Sequence, residues 1–224
     1  MAKQDRAIRT RRAILSAAAR VFEERGYQAA TIAEILEAAG VTKGALYFHF
    51  SSKEELAQGV LAEQDQAMTV PPRTSKSQEL VDVAMLHAYR LQSDPMVRAG
   101  VRLSLDQLAH ELDRSGPFLR WTTVVTGLLE QARAQSELLP HVVLDETAEV
   151  MVGSFAGVQA MSQAVTGYRD LPHRMRALLL HLLPSVVVPS VVATLDLSPH
   201  RGQDVFEELA ETEEELTPST AGQR

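Results

Sequence analysis

The amino-acid sequence predicts an all-α protein in which an N-terminal three-helix domain with a helix-turn-helix precedes a larger helical domain. Apolar residues recur at helical spacing along most of the 224 residues, and no segment shows the alternation typical of a β-strand. Charge also divides the chain, because residues 1–50 hold 8 Lys or Arg and 5 Asp or Glu, whereas the later residues hold 14 and 24. We therefore expect a DNA-binding domain over 1–52, a ligand-binding and dimerisation domain over 53–197, and an acidic, partly disordered tail over 198–224.

The first two helices are predicted from apolar spacing and from residues that favour helix ends. A helix is expected over residues 5–25, because its apolar residues share one face and Gly26 can end it. Thr31 and Glu34 then have the spacing of a capping box, in which each side chain bonds the other residue's backbone N–H. Gly40 ends this short second helix.

A third helix begins at Thr42, whose hydroxyl can accept a hydrogen bond from a backbone N–H one turn later. The helical period turns its apolar residues inward, while Lys43 and Tyr47, four positions apart, point outward beside Gly44. A glycine inside a helix costs about 0.5–1 kcal/mol relative to alanine, so a compensating role is expected for it. A cation, bare backbone and a phenol in one helical turn suit close approach to a DNA groove.

The rest of the chain is predicted to be helical. Ser52 begins a fourth helix whose inner row includes Gln64 and which ends before Pro71. Prolines at several expected first turns and ends set the limits of the helices that follow. They are expected over residues 78–92, 95–112, 117–137, 145–167 and 171–188, with a short piece over 189–195 and an acidic helix after 198.

Two features favour a homodimer. The helix that begins near Asp145 carries Gly153 and Gly157 four positions apart, and the next helix is apolar on nearly all sides. A four-helix interface between two copies would cover both helices. The alternative is one buried central helix whose glycines admit a bulky neighbour.

Composition excludes several classes of protein. The chain has no Cys, so it has neither a disulfide framework nor a thiolate metal site, and a reducing cytoplasm is the expected location. No apolar run is long enough to suggest export or a membrane span. The histidines are scattered without a motif of hydrolases or phosphate-binding enzymes, so we expect no catalytic residue, no metal and no cofactor.

The segment ATIAEILEAAGVTKGALYFHFSSKEELAQGVL resembles the DNA-binding part of TetR-family repressors. The segments RAGVRLSLDQLAHELDRSGPFLRW, LLPHVV and VGSFAGVQAMSQAV further resemble the γ-butyrolactone receptor subgroup, and the likeness spans about residues 3–197. The resemblance implies a homodimer that binds a palindromic DNA operator and is released by a γ-butyrolactone or butenolide hormone. Control of antibiotic production is the implied role in the cell.

The same resemblance implies which residues contact DNA. Lys43 and Gly44 are expected to approach the bases, and the other positions are expected to hold phosphates, which fix register without specifying sequence. For His49 the alternative is a helix-end residue that touches nothing. The full set is Thr31, Thr42, Lys43, Gly44, Tyr47, His49 and Lys53.

A mostly apolar ligand cavity is expected in the larger domain. The sole Trp lies on an apolar helical row, and the resemblance implies that it lines the hormone cavity. Buried amides and hydroxyls without partners cost about 1–3 kcal/mol, so polar residues on apolar faces either bond one another or await a ligand. The expected walls are Trp121, Val125, Phe155 and Val158, the polar contacts are Gln64, Gln159 and Ser162, and Met85 with Tyr89 closes the cavity.

Gln64 suggests a mechanism, because its helix begins directly after the DNA-contacting helix. A ligand that prefers one tilt of this helix would change the separation of the two DNA-contacting helices and oppose operator binding. Two alternatives keep the DNA-binding domain but change the effector: a repressor that responds to another apolar ligand, such as a drug or metabolite, and a receptor-like relative that does not bind the hormone.

Overall fold

The computed structural model of the chain describes residues 2–64 and 69–216. Within these ranges every regular element is helical, which confirms the all-α prediction, and one isolated β-bridge joins Leu138 to Val187. The helices are α1 (Ala2–Ala29), α2 (Ile32–Ala39), α3 (Lys43–His49), α4 (Lys53–Glu63), α5 (Lys76–Ser93), α6 (Pro95–Leu105), α7 (Ser115–Ala134), α8 (Leu144–Thr166), α9 (Leu171–Leu182), α10 (Pro189–Val192) and α11 (Arg201–Leu216).

The helices form two compact units whose limits differ from the expected domains. The first unit contains α1–α4, α6 and the first residues of α7, and the second contains α5, the rest of α7 and α8–α11. In the first unit α1 packs against α2, α4 and α6 around a core that includes Phe22, Ile35, Leu46, Phe50 and Leu103. The expected boundary at residue 52 therefore falls inside the first unit.

Helix α1 ends its regular course at Gly26, whose backbone has φ 75° and ψ 172°. The Nζ of Lys53 donates to the carbonyl oxygens of Tyr27 at 2.8 Å, Ala30 at 3.1 Å and Gln28 at 3.3 Å. The same ammonium lies 4.6 Å from the centre of the Tyr27 ring. Lys53 thus supplies donors to carbonyls that the end of α1 leaves unpaired.

Two predicted helices were too long. Helix α6 stops at Leu105 because Asp106 turns to an extended backbone and its carboxylate accepts from the N–H of Leu108 at 3.0 Å and of Tyr27 at 3.4 Å. Helix α9 stops at Leu182 and gives way to a 3-10 turn over Leu183–Ser185, where a proline lacks the N–H that α-helical bonding needs. The predicted end of the fourth helix lies outside the described residues.

The expected acidic tail contributes a helix to the second unit. Helix α11 approaches α5 so closely that a Cβ on Gly202 would lie 2.1 Å from the carbonyl oxygen of Met85. Val205 in α11 is fully buried. Arg201 donates from two nitrogens to Asp82 of α5 at 2.6 and 2.7 Å. Residues 217–224, where disorder was expected, lie outside the described residues.

Candidate DNA-binding and ligand-binding sites

Helices α2 and α3 have the ends that the sequence predicts. Thr31 and Glu34 form the capping box, with the Thr31 N–H donating to Glu34 Oε2 at 2.9 Å and the Glu34 N–H donating to Thr31 Oγ1 at 3.2 Å. Gly40 ends α2 in the left-handed conformation with φ 62°. Thr42 then caps α3 by accepting from the Ala45 N–H at 3.3 Å.

The first turn of α3 faces solvent with the residues predicted to contact DNA. Lys43 and Gly44 are exposed, and the Lys43 Nζ lies 5.8 Å from the centre of the Tyr47 ring, which is itself exposed. A Cβ built on Gly44 would meet no atom within 4 Å. Nothing in the described chain therefore requires a glycine at this position, and its close approach to DNA stays a prediction.

Phe48 belongs to this surface but was not singled out from the sequence. Its side chain is 79% exposed, the largest exposure among the large apolar residues described. The ring centre of His49 lies 5.0 Å from that of Phe48 and 6.5 Å from that of Phe50. Its position two residues from the buried Leu46 was the available signal, since a helix turns such a neighbour to the opposite side.

The structure favours structural roles for two predicted phosphate contacts. The Thr31 hydroxyl donates to Glu34 at 2.8 Å, and this bond is the main cause that lowers the pKa of Glu34, which keeps a negative charge beside Thr31. The three N–H bonds of the Lys53 ammonium already point to backbone carbonyls. Both residues hold the unit together, and their contacts with phosphate remain predictions.

The N-terminal part of α1 adds positive charge next to α3. The guanidinium of Arg11 lies 5.0 Å from the centre of the Phe50 ring, which ties α1 to the end of α3. Arg6 and Arg12 are exposed. These side chains are available to DNA phosphates on the same unit as α3.

In the second unit, three aromatic rings from three helices meet. The ring of His87 in α5 lies edge-on to Trp121 of α7 at 4.8 Å and 5.2 Å from Phe155 of α8. The structure therefore brings together two of the predicted cavity walls, Trp121 and Phe155, and Val125 lies buried one turn after Trp121. We call His87, Trp121 and Phe155 the aromatic cluster.

His87 was missed at the centre of this cluster. It occupies the apolar row that Leu80, Val83 and Leu91 mark on α5, which was the signal in the sequence. Burial, with the charge of Arg90 as a smaller cause, lowers the pKa of His87 to about 3. Its imidazole is therefore neutral near pH 7.

The expectation for Tyr89 is corrected, because this residue lies on another side of α5. Its ring packs 5.3 Å from Phe206 of α11. Residues two apart on a helix point in nearly opposite directions, so His87 and Tyr89 cannot face the same cavity. Met85, one turn before Tyr89, is buried, and its backbone carbonyl oxygen packs against Gly202 of α11.

The predicted polar residues of α8 differ in their partners. Gln159 is buried, and its Oε1 has no hydrogen-bond partner. Ser162 does not await a ligand, since its hydroxyl donates to Asp170 at 2.6 Å as part of the turn into α9. That bond is the largest cause lowering the pKa of Asp170 to about 2. Val158 is partly buried.

Gln64 lies at the end of α4 in the first unit. It is buried, its Oε1 has no partner, and the amide lies so close to Gly100 of α6 that a Cβ there would clash at 2.1 Å. The other predicted cavity residues belong to the second unit. A contact between Gln64 and a ligand therefore stays a prediction.

Comparison with known proteins identifies the family. The model of bacterial regulatory proteins of the tetR family matches residues 14–60, and that of the tetracyclin repressor-like C-terminal domain matches residues 75–189, which is half of the chain. The A-factor receptor protein of Streptomyces griseus is 40% identical over 193 residues, which are 86% of this chain and 69% of the relative. The chain belongs to the TetR family.

Solved structures of another TetR regulator and of a γ-butyrolactone receptor resemble this TetR protein. TylP, a TetR regulator from Streptomyces fradiae, is 45% identical with a TM-score of 0.84, and the alignment covers 91% of this chain and 98% of TylP. A γ-butyrolactone receptor described as ArpA-like is 30% identical with a TM-score of 0.70, covering 89% of this chain and 99% of that one. The resemblance to γ-butyrolactone receptors is confirmed.

As a TetR-family member, the protein is a DNA-binding transcriptional repressor and not an enzyme. The match to the tetR family covers residues 14–60 and includes α2 and α3. The exposed turn of α3 therefore lies in the part of the chain that defines the family. Within the described residues, no helix is long and apolar enough to cross a membrane, and no cluster of side chains has the composition of a metal site.

Proposed function

We propose that the protein is a homodimeric repressor that binds a palindromic operator through α3 and leaves it when a γ-butyrolactone or butenolide hormone binds the second unit. The solvent-facing first turn of α3 carries the proposal. It offers Lys43 and Tyr47 on both sides of a glycine whose side-chain position is open. A major groove admits a helix in which a cation reaches a base edge or phosphate and the backbone approaches closely.

Phe48 and His49 extend the same proposed contact. An exposed phenyl ring at the end of α3 can pack on the methyl group of a thymine, and a half-buried imidazole beside it can bond a phosphate. Thr42 also has a hydroxyl proton that no described residue accepts, so it can donate to a phosphate while its oxygen caps the helix. Thr42, Lys43, Gly44, Tyr47 and His49 are the proposed contacts, with Phe48 added.

Dimerisation is proposed through α8, which keeps one apolar face uncovered. Val150, Met161 and Val165 are each more than half exposed, and Gly153 and Gly157 lie between them with open space where a Cβ would stand. These five residues recur on one side of the helix. A second copy related by a two-fold axis would cover the face and present two α3 helices, which palindromic operators require about 34–36 Å apart.

Substitution of Gly157 by arginine tests this interface. Because the subunit has room for a Cβ at this position, the variant is expected to fold, while the charged side chain prevents close contact with a second copy. Light scattering is expected to report a monomer in place of a dimer, together with weakened operator binding. Gln163→Arg changes an exposed residue on another side of α8 and is expected to remain dimeric. A dimeric Gly157→Arg protein would refute this interface.

The proposed effector site is the aromatic cluster with the nearby amide of Gln159. Flat rings and Val125 suit an apolar molecule, and an unpaired amide oxygen suits one hydroxyl on it. Effector binding and operator binding would oppose one another with a coupling of about 1–3 kcal/mol, the usual range for allostery. The likeness to the A-factor receptor protein and to a γ-butyrolactone receptor supports an effector of the γ-butyrolactone type.

A gel-shift titration tests the effector class. The protein is bound to a DNA fragment from upstream of its own coding sequence, and a γ-butyrolactone, a butenolide and an apolar drug are added separately. We expect release by a lactone or butenolide at concentrations where the drug has no effect. Release by the drug alone would instead show a repressor with a different effector, and the absence of binding to a palindromic sequence would refute the operator. Cytoplasmic action and control of antibiotic production belong to the same proposal.

A further inference from the structure

The end of α4 packs against α6 at a point that leaves no room for a side chain on Gly100. A Cβ built on Gly100 would lie 2.1 Å from Oε1, 2.4 Å from Cδ and 2.9 Å from Cβ of Gln64, the residue that ends α4. Carbon atoms in contact normally lie about 3.5–4.0 Å apart. The amide of Gln64 can rotate away from an added methyl group, but its Cβ moves only with the backbone. A side chain at position 100 therefore pushes the end of α4 and α6 apart.

The contact between Gln64 and Gly100 depends on shape and not on a hydrogen bond. Gly100 is buried, and only 3% of Gln64 is exposed. The Oε1 of Gln64 has no hydrogen-bond partner, although buried polar groups in proteins are nearly always bonded. Water would satisfy this oxygen if the end of α4 moved away from α6, so the closed contact carries a cost that the open one does not. The absence of a side chain on Gly100 is what allows the contact to close.

Helix α4 also touches the end of α3, earlier along its length. A Cβ built on Gly59 of α4 would lie 2.7 Å from Cδ2 of Leu15 in α1 and 3.3 Å from Cε1 of Phe50. Phe50 is the residue that ends α3, and its side chain is buried in the core of the first unit. Because α4 packs tightly on Phe50, a displacement of α4 at Gln64 acts on α3. All of these residues belong to the first unit.

We propose that Gly100 is a positioning residue for operator binding. It lets the end of α4 close against α6, and the closed α4 holds α3, through Phe50, in the orientation that fits the DNA groove. The inference rests on the proposed function and deepens it, because it assigns control of α3 to a residue of α6 that lies outside the helix-turn-helix. Gly100 touches no DNA and acts through Gln64.

Four full-length proteins test the inference: the wild type, Gly100→Ala, Gln64→Gly and the double variant. Their affinity for the DNA fragment from upstream of the coding sequence is measured by fluorescence anisotropy without effector. We expect Gly100→Ala to weaken binding about fivefold or more, because the apparent affinity falls with the fraction of protein in the competent arrangement. The loss is expected even though alanine favours a helix more than glycine does.

Rescue by the second substitution distinguishes positioning from a general structural loss. Gln64→Gly removes both the amide and the Cβ that an alanine at position 100 would meet, and glycine is readily accommodated at a helix end. The double variant is therefore expected to bind DNA within about twofold of Gln64→Gly alone, whereas losses at independent sites would add. A double variant that keeps the whole loss of Gly100→Ala would overturn the inference.

Two further variants serve as controls. Gly127→Ala makes the same exchange in α7, where an added Cβ meets no atom within 4 Å, and should match the wild type in DNA affinity. Gln64→Met keeps an unbranched chain against Gly100 and removes the unpaired oxygen, so it should bind DNA at least as tightly as the wild type. A large loss of DNA affinity in Gln64→Met would show that the amide and not the shape matters, and would contradict the inference.

Hydrogen exchange of α3 and α4 in the same proteins separates this inference from the proposed function. Faster exchange in Gly100→Ala, reversed in the double variant to the level of Gln64→Gly, is the expected result. If the wild type binds no DNA fragment, the proposed function fails, and the exchange pattern still decides whether Gly100 positions α4. Wild-type DNA affinity and wild-type exchange in Gly100→Ala overturn the inference and leave the proposed function intact. Calorimetric unfolding of each variant shows that a loss of binding is not a loss of fold.

Discussion

Replacing Asp82 by alanine is expected to lower the free energy of unfolding by about 3–5 kcal/mol, the usual result of removing one partner from a buried ion pair. The Asp82 carboxylate is fully buried and accepts four hydrogen bonds. Their donors are Arg73 Nε at 2.7 Å, Gln78 Nε2 at 2.8 Å, and two nitrogens of Arg201 at 2.6 and 2.7 Å. Alanine would leave two largely buried guanidinium groups without this anion.

The Asp82→Ala substitution is expected to weaken the packing of α11 against α5. Arg73 also forms a two-bond pair with Glu208 of α11 at 2.6 and 2.9 Å, and these contacts raise the pKa of Arg73 and lower the pKa of Glu208. Asp82 joins this pair to Arg201 at the start of the same helix. Without Asp82, both arginines lose the acceptor that fixes their position, so α11 should separate from α5 before the rest of the unit unfolds.

Chemical denaturation followed by circular dichroism measures the effect. Glu207→Ala is the matched control, because Glu207 is an exposed acid of α11 that contacts Gln203 on its own helix. It is expected to change the stability by no more than about 0.5 kcal/mol. Hydrogen exchange of α5 and α11 in the Asp82→Ala protein locates the loss. A change as small as that of Glu207→Ala would show that the buried network does not hold α11.

Replacing Gly44 by alanine is expected to lower operator affinity at least tenfold without lowering the stability of the protein. Because its side-chain position is open, the added methyl group meets no atom of the chain and removes the helix cost of glycine, about 0.5–1 kcal/mol in a helix interior and less at its end. If α3 binds DNA as proposed, the same methyl group would occupy the space that the backbone needs near the groove. The substitution is present twice in a dimer, so its effect on binding is doubled.

Gly127→Ala is the matched control for this experiment. Gly127 in α7 also has open space where a Cβ would stand, so alanine brings a similar gain in helix stability away from α3. Operator affinity is measured without effector by fluorescence anisotropy, and unfolding is followed by calorimetry. Lys43→Ala is expected to weaken binding as well and to reduce its salt dependence. Full operator affinity of Gly44→Ala would mean that α3 does not bring its first turn to the groove.

Local signals explain why the helices of the helix-turn-helix could be predicted. Capping by Thr31, Thr42 and Ser52 involves bonds over three residues, and the structure has all three caps. The outward face of α3 follows from the same local geometry. Helix ends that depend on distant contacts were not visible, as at Asp106, whose carboxylate bonds a backbone N–H 79 residues earlier.

The candidate ligand site was less predictable because periodicity does not say which face of a buried helix meets which neighbour. Both faces of α5 are apolar, so the apolar row that contains His87 did not by itself favour His87 over Met85 and Tyr89. Ser162 has a polar partner eight residues away, beyond the turn at Gly167. The attachment of α11 depends on Arg73 and Glu208, which are 135 residues apart.

The bonding of Lys53 has a consequence for electrostatics. Proteins that neutralise DNA phosphates displace condensed counterions, and each direct contact steepens the fall of affinity with ionic strength. The Lys53 ammonium already donates to three carbonyls around the end of α1, so it would have to give up one of these bonds to bind a phosphate directly. If α3 binds DNA as proposed, we expect Lys43 and the α1 arginines to contribute more to the salt dependence of binding than Lys53 does.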